Sequence, residues 1–171
     1  LRQVISQAAI ETENPPCPHF VDCGGCAYQT LTYDAQKILK LNQVQALFSE
    51  VCPDFPLSSC EASPNPWQYR NKMEFSFGDM EKDGELTLGL HKRGSFYDIV
   101  PVSECKIVDE DYRKILKVTN DYFIHEKVPY LHKRSHEGYL RHLMVRRGEC
   151  TGEMLICLVT TSQMTIDLTP W

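Results

Sequence analysis

The sequence predicts an α+β protein with a mostly antiparallel sheet, two main helices and an N-terminal cysteine-rich loop. Two stretches repeat their apolar residues near the helical period of about 3.6 residues. Several shorter stretches show the two-residue alternation or the β-forming residues that are typical of strands. The third observation is a group of closely spaced cysteines, Cys17, Cys23 and Cys26, ahead of the first helical stretch.

Composition limits the class of protein. The chain has 171 residues, of which 42% are hydrophobic and 24% charged, as in an ordinary globular protein that buries a core. No apolar run approaches the roughly 20 residues that cross a bilayer, so we expect a cytoplasmic protein with no membrane partner. The net charge of −5 argues against coating nucleic acid through an overall field. Any contact with nucleic acid is therefore expected to be local.

The chain divides by composition into four segments. Residues 1–14 are interpreted as the end of an upstream domain and a linker, and residues 15–30 as the cysteine loop. Residues 31–165 form the predicted central α+β domain, and residues 166–171 begin a connection to something further. No methionine precedes Met73, so the chain is expected to be a piece of a longer protein.

The first helix is predicted over residues 31–51, with Thr30 or Thr32 as its N-cap and Pro53 beyond its end. Its apolar stripe is more typical of core packing than of a groove for a partner. Residues 52–66 contain four prolines and are predicted to form a loop.

Strands are predicted from residue 67 onward. Met73, Phe75 and Phe77 alternate with polar residues, and the Asp83-Gly84 pair is a strong hairpin signal. A returning strand carries apolar residues at 86, 88 and 90, and a turn at residues 91–94 leads into a third strand at 96–100. Near the end of the chain, residues 139–147 and 153–161 are predicted to form a long hairpin.

A second helix is predicted from residue 109 to about residue 125, because acidic residues occupy its first turn. Five residues are expected to face inward: Ile115, Leu116, Val118, Tyr122 and Phe123.

The cysteine loop has the spacing of a metal site. The Cys-Gly-Gly-Cys turn lets two thiolates converge, since glycine allows close backbone approach. Crowded thiolates repel one another unless a metal neutralises them. Ordinary thiols are the simpler alternative, and disulfides are disfavoured because the chain shows no signal peptide and the loop is tight. His19 could substitute as a ligand, although a packing or surface role is favoured.

Iron–sulfur clusters and structural zinc usually take four ligands. Cys105 follows a strand and precedes a helix, which puts it slightly ahead of Cys60 as the fourth. Cys52 and Cys150 border turns and are not excluded. Cys157 lies in an apolar run and is expected to be a buried small hydrophobe.

Four segments together resemble the RNA uracil-C5 methyltransferase family, in particular its 23S ribosomal RNA branch with a 4Fe-4S cluster. They are the cysteine loop and residues 69–77, 89–105 and 140–146, and the resemblance extends over about residues 14–165. In that family three cysteines of a loop and one distant cysteine bind the cluster. The resemblance implies that Cys17, Cys23, Cys26 and Cys105 are the ligands.

The resemblance also implies methyl transfer from S-adenosylmethionine to carbon 5 of a flipped-out uridine in ribosomal RNA. The chain departs from the full family pattern, because its nine glycines contain no G-x-G pair and the motif of the nucleophilic cysteine is absent. It is therefore interpreted as an inactive central-domain fragment that lacks the S-adenosylmethionine-binding catalytic domain. The oligonucleotide-binding barrel that many members carry is expected to be missing, with residues 1–10 as a candidate for its last strand. No obligate protein partner is evident.

Basic residues on the predicted strands and turns suit contacts with RNA phosphates and unpaired bases. For each one alone, a solvated surface charge is the simpler interpretation. The run at residues 132–136 is expected to be a solvated loop. The candidate RNA contacts are Arg70, Lys72, His91, Lys92, Arg93, Arg141, His142 and Arg146.

A different class of protein also fits the residues. The alternative is a stand-alone zinc-binding module that interacts with nucleic acid or protein and has no enzymatic parent. An electron-transfer protein is less favoured, since ferredoxin-like ligands lie closer together in sequence.

Overall fold

The computed structural model describes residues 5–171. An upstream element or strand is expected at residues 1–10. Residues 1–4 lie outside the described range, and residues 5–10 form no helix or strand. The contacts divide the chain into two compact units. One comprises the residues up to Pro16 and Ala27–Pro66, and the other comprises Cys17–Cys26 and Trp67–Trp171.

Helix α1, Tyr33–Ser49, is the main element of the first unit. The predicted cap is confirmed, because the Thr32 hydroxyl accepts a hydrogen bond of 3.1 Å from the Ala35 amide. The expected core packing of its apolar stripe is wrong: no α1 residue is buried, and Ile38 and Leu47 are 59% and 74% exposed. Residues 38, 39, 41, 44 and 47 spread around the axis at about 100° per residue instead of sharing one face.

The second unit contains a five-stranded antiparallel sheet with the order β3-β2-β1-β4-β5. Its strands are β1 Lys72–Asp79, β2 Leu86–His91, β3 Ile99–Pro101, β4 Leu140–Arg147 and β5 Met154–Thr160. The predicted meander and the long hairpin are therefore confirmed. The third strand begins at Ile99 rather than at residue 96, so Phe96 and Tyr97 lie in the connection before it.

Helix α2, Glu110–His125, begins after Asp109, whose carboxylate accepts a hydrogen bond from the Asp111 amide. The prediction for Val118 is wrong, because its side chain is 64% exposed. Val118 lies about 200° around the axis from buried Leu116, on the opposite side of the helix. The buried face consists of Tyr112, Leu116, Thr119 and Phe123.

The core lies between one face of the sheet and α2. Phe77 of β1 meets Phe123 of α2 edge to face, with ring centroids 5.7 Å apart. The end of the chain also packs here, since the Trp171 indole donates to the Thr119 hydroxyl at 3.2 Å. No helix within residues 5–171 is both long and apolar enough to span a bilayer.

Candidate functional site

The cysteine loop is bound to the end of β2 by backbone pairing. Cys23 forms an antiparallel bridge with Lys92, and the Gly24 amide donates to the His91 carbonyl at 2.9 Å. A Cβ atom at Gly24 would lie 3.1 Å from the same carbonyl oxygen, so glycine permits this approach. The sheet therefore holds the Cys-Gly-Gly-Cys turn in place.

Arg93 holds the same loop with its side chain. Its Nη2 atom donates to the carbonyl oxygens of Phe20, Cys23 and Cys26, at 3.2, 3.3 and 2.6 Å. The guanidinium carbon lies 5.3 Å from the centre of the Phe20 ring, a cation–π distance. The Arg93 amide also donates to the Asp22 carbonyl. Sequence reasoning assigned Arg93 to RNA and missed this role, which no local pattern signals.

His19 joins the loop to the turn that carries Cys105. Its Nε2 atom accepts a hydrogen bond of 3.1 Å from the Glu104 amide, 85 residues away in sequence. Burial lowers the pKa of His19, which favours the neutral ring that can accept this bond. Its carbonyl accepts from the Cys23 amide at 2.7 Å. The favoured packing role agrees with these contacts.

The structure brings the four candidate cysteines into one neighbourhood. Cys17, Cys23 and Cys105 are buried, and Cys26 is half-buried. Burial, with smaller contributions from the charges of Cys17, Cys26 and Cys23, raises the pKa of Cys105 to about 11. Burial also raises the pKa of Cys23, which the Gly25 amide opposes by donating to its sulfur at 3.3 Å. The three loop thiols thus interact with Cys105.

The described part of the chain shows no arrangement of side chains that would bind a single metal ion. No group of three or more His, Cys, Asp or Glu side chains in residues 5–171 is arranged to hold one metal ion. The metal ligands therefore stay a prediction. Of the other cysteines, Cys52 and Cys150 are exposed and Cys60 is half-buried. Cys157 is half-buried on β5, so its expected full burial is wrong.

The candidate RNA contacts fall into two groups on the sheet. In the first, Lys72 of β1 and Arg146 of β4 are paired in register and both are exposed. Arg141 of β4 is exposed as well. Arg70 precedes β1, and its amide donates to the Ile107 carbonyl. His142 is half-buried, with Nδ1 3.2 Å from the Ser76 hydroxyl.

The second group lies at the end of β2, with His91, Lys92 and Arg93 in sequence. Burial lowers the pKa of His91, and the charges of Lys133 and His142 lower it further. Strands β2 and β4 thus bring His91 and His142 within electrostatic range of one cation. The Arg93 guanidinium is directed to the cysteine loop.

The expectation of a solvated loop at residues 132–136 is wrong for Lys133. Its Nζ atom lies 4.3 Å from the centre of the Phe96 ring and donates to the Phe96 carbonyl. Arg134 lies 5.3 Å from the Tyr97 ring centre. No local pattern in the sequence indicated this contact, because Lys133 and Phe96 are 37 positions apart.

No known family model matches the chain. An uncharacterized RNA methyltransferase of Caldanaerobacter subterraneus subsp. tengcongensis is 46% identical over 163 residues, which cover 95% of this chain and 36% of the relative. One of Clostridium tetani is 48% identical over 153 residues, covering 89% of this chain and 34% of the relative. The chain thus spans about a third of the length of the curated relatives it matches.

A solved structure shares the fold. The Pyrococcus abyssi tRNA (uracil-54, C5)-methyltransferase in complex with S-adenosyl-L-homocysteine matches with a TM-score of 0.68 at 22% identity. The match covers 96% of this chain and 36% of the archaeal chain. The α+β architecture is therefore one found within a larger RNA-modifying enzyme.

Proposed function

We propose that the chain is the iron–sulfur and RNA-contacting part of an S-adenosylmethionine-dependent uracil-C5 methyltransferase that acts on 23S ribosomal RNA. The names of its relatives support an RNA methyltransferase parent. The shared fold with a uracil-C5 methyltransferase supports the uracil substrate. The single observation that carries the proposal is that Cys17, Cys23 and Cys26 lie close enough to buried Cys105 for their charges to raise the pKa of its thiol.

The donor set fits a 4Fe-4S cluster, which takes four cysteine thiolates. In such a cluster each of the four thiolates would bind its own iron, so they need not converge on a single ion. This arrangement is compatible with the lack of single-ion geometry in residues 5–171. Tetrahedral zinc would take the same four thiolates with Zn–S bonds of about 2.3 Å, so metal analysis separates the two.

The cluster would serve as a structural cross-link. Burial raises the pKa values of the Cys105 and Cys23 thiols, so they stay protonated near neutral pH, and iron would displace their protons on binding. Arg93 would hold the carbonyls of the loop, so that the three loop sulfurs face Cys105. His19 would hold the Cys105 turn against the same loop.

The exposed face of β1 and β4 would contact the RNA backbone. Lys72 and Arg146 stand side by side there. Cations on a sheet surface suit phosphate contacts, which position the RNA without reading its sequence.

Methyl transfer would belong to the part of the parent enzyme outside these 171 residues. The relatives extend well beyond the matched third of their length. We infer that S-adenosylmethionine and the reacting uridine bind there and that the present chain is inactive alone. A cytoplasmic location follows from the proposed ribosomal substrate.

The metal and sulfide content of anaerobically purified protein tests the cluster. We expect about four iron and four sulfide per chain, lost in Cys105→Ala and kept in Cys150→Ala, whose thiol is exposed in a turn. About one zinc without sulfide would instead favour the stand-alone zinc module. Equal iron content in both variants would remove Cys105 from the ligand set.

Binding to ribosomal RNA tests the rest of the proposal. We expect a fragment of 23S ribosomal RNA to bind with an affinity that falls as salt rises. Arg146→Gln removes one positive charge from the exposed face of β1 and β4 and should weaken the binding. Lys117→Gln removes one from the exposed surface of α2 and should not. An affinity without salt dependence would argue against phosphate contacts.

A further inference from the structure

Two aromatic side chains are exposed side by side in the connection between β2 and β3. Phe96 and Tyr97 are 71% and 48% exposed. Their rings stand at 90° with centroids 5.5 Å apart. The ring of His91, at the end of β2, lies nearly parallel to Phe96 at 6.4 Å. Exposed aromatic rings grouped in this way are uncommon on a surface without a binding function.

Two cations cover the same aromatic pair. The Lys133 ammonium lies 4.3 Å from the Phe96 ring centre and 6.0 Å from that of Tyr97. The Arg134 guanidinium lies 5.3 Å from the Tyr97 centre. Within residues 5–171, neither cation has a carboxylate within 4.0 Å. Their charges are therefore available to an anionic ligand.

We propose that Phe96, Tyr97, Lys133 and Arg134 form a platform for an unpaired stretch of RNA. A base stacks on an exposed aromatic ring, and the flanking phosphates contact the two cations. This inference rests on the proposed function, which supplies RNA as the partner, and adds a site and the single-stranded form of the ligand.

The chemistry of the platform favours nucleic acid over an acidic peptide. An acidic peptide needs cations alone, whereas this surface combines cations with flat exposed rings. Every base has a face that stacks on an aromatic ring, and stacking of this kind tolerates any sequence. A base within a duplex is already stacked on both faces, so only an unpaired base can use the rings.

The platform also lies near both groups of candidate RNA contacts. Lys133 lowers the pKa values of both His91 and His142, so it lies within electrostatic range of both strands. RNA held on the β4 face could therefore continue onto Phe96 and Tyr97.

Fluorescence anisotropy with a labelled oligouridylate of about 12 nucleotides tests the platform in the full 171-residue chain. Phe96→Leu keeps an apolar side chain but removes the ring. We expect it to raise the Kd about tenfold while the salt dependence stays unchanged. Lys133→Gln should lower the slope of log Kd against log salt by about 0.7, the value for one phosphate contact with a single strand.

Two control variants lie outside the platform. Phe55→Leu removes a 40% exposed ring in the first unit, and Lys82→Gln removes an exposed cation in the turn after β1. Both should bind the oligouridylate as the unsubstituted chain does. An equal loss of affinity in Phe55→Leu and Phe96→Leu would overturn the platform.

A duplex RNA of similar length separates this inference from the proposed function. Binding to the duplex but not to the oligouridylate would overturn the platform and leave the proposed RNA partner standing. Binding to neither RNA would overturn both. A Kd unchanged by Phe96→Leu, with tight binding to the oligouridylate, would overturn the platform alone.

Discussion

The Nη2 atom of Arg93 lies 2.6 Å from the carbonyl oxygen of Cys26 and also donates to the carbonyls of Phe20 and Cys23. One guanidinium thus satisfies three backbone acceptors of the cysteine loop. Arginine suits this position because its planar group presents several donors in a fixed geometry. The loop that carries three candidate ligands therefore depends on a residue 67 positions away from Cys26.

Replacing Arg93 should loosen the cysteine loop. We expect Arg93→Ala to reduce the protection of the Cys23 and Gly24 amides about fivefold, because an exposed charged hydrogen-bond donor contributes about 1 kcal/mol. Hydrogen–deuterium exchange of the loop measures this change. Lys92→Ala is the control, since Lys92 joins the loop through its backbone. Equal exchange in the two variants would contradict the role of the guanidinium.

Replacing leucine by alanine should lower the free energy of unfolding in the core of the sheet but hardly in α1. Leu143 is fully buried in β4, and Leu143→Ala should lower the free energy of unfolding by about 2–5 kcal/mol. Leu47 in α1 is 74% exposed, so Leu47→Ala should change it by about 0.5 kcal/mol or less. Urea denaturation compares the two. A large loss in Leu47→Ala would show that α1 is buried against a partner surface.

A side chain at Gly89 should disrupt the pairing of β2 with β3. A Cβ there would lie 1.9 Å from the Val100 carbonyl oxygen, which is backbone and cannot rotate away. Gly89→Ala should cost about 1–3 kcal/mol or more. Gly152→Ala meets no atom within 4 Å and only strains a positive φ of 71°, at about 1 kcal/mol. Thermal unfolding that ranks Gly152→Ala as the more damaging would contradict this comparison.

His142 should make stability depend on pH. Burial lowers its pKa, the charges of Arg141 and Lys133 lower it further, and Glu74 raises it. The folded pKa lies below the unfolded value of about 6.5, so the unfolded chain binds more protons between the two values. The stabilisation is therefore complete above about pH 6.5 and declines as pH falls toward the folded pKa.

Urea denaturation between about pH 7 and pH 5 checks this dependence. The free energy of unfolding should fall more steeply with decreasing pH for the unsubstituted chain than for His142→Gln. His125→Gln, at a side chain that is 84% exposed, is the control and should follow the unsubstituted chain. Parallel pH profiles for all three proteins would remove His142 as a source of the effect.

The isolated chain should transfer no methyl group. We expect no 5-methyluridine after incubation with S-adenosylmethionine and ribosomal RNA, because the proposed catalytic groups lie outside these residues. Mass spectrometry of the digested RNA measures the product. Its formation would overturn the assignment of catalysis to the rest of the parent enzyme.

The sequence alone indicated that Cys17, Cys23 and Cys26 form one group of thiols, because the three residues are close together in the chain. It did not identify the fourth, since the residues placed Cys105 only slightly ahead of Cys60. The fold brings Cys105 to the loop thiols. Their service as metal ligands stays a prediction.

The sequence by itself determined the α+β class, the five strands and both helices, because alternation, helical period and capping residues act over a few neighbouring positions. Only the tertiary structure decided that Arg93 holds the cysteine loop and that Lys133 covers Phe96. These outcomes depend on contacts between residues far apart in the chain. A basic side chain is exposed to solvent or holds another segment in place, depending on which residues the fold brings next to it.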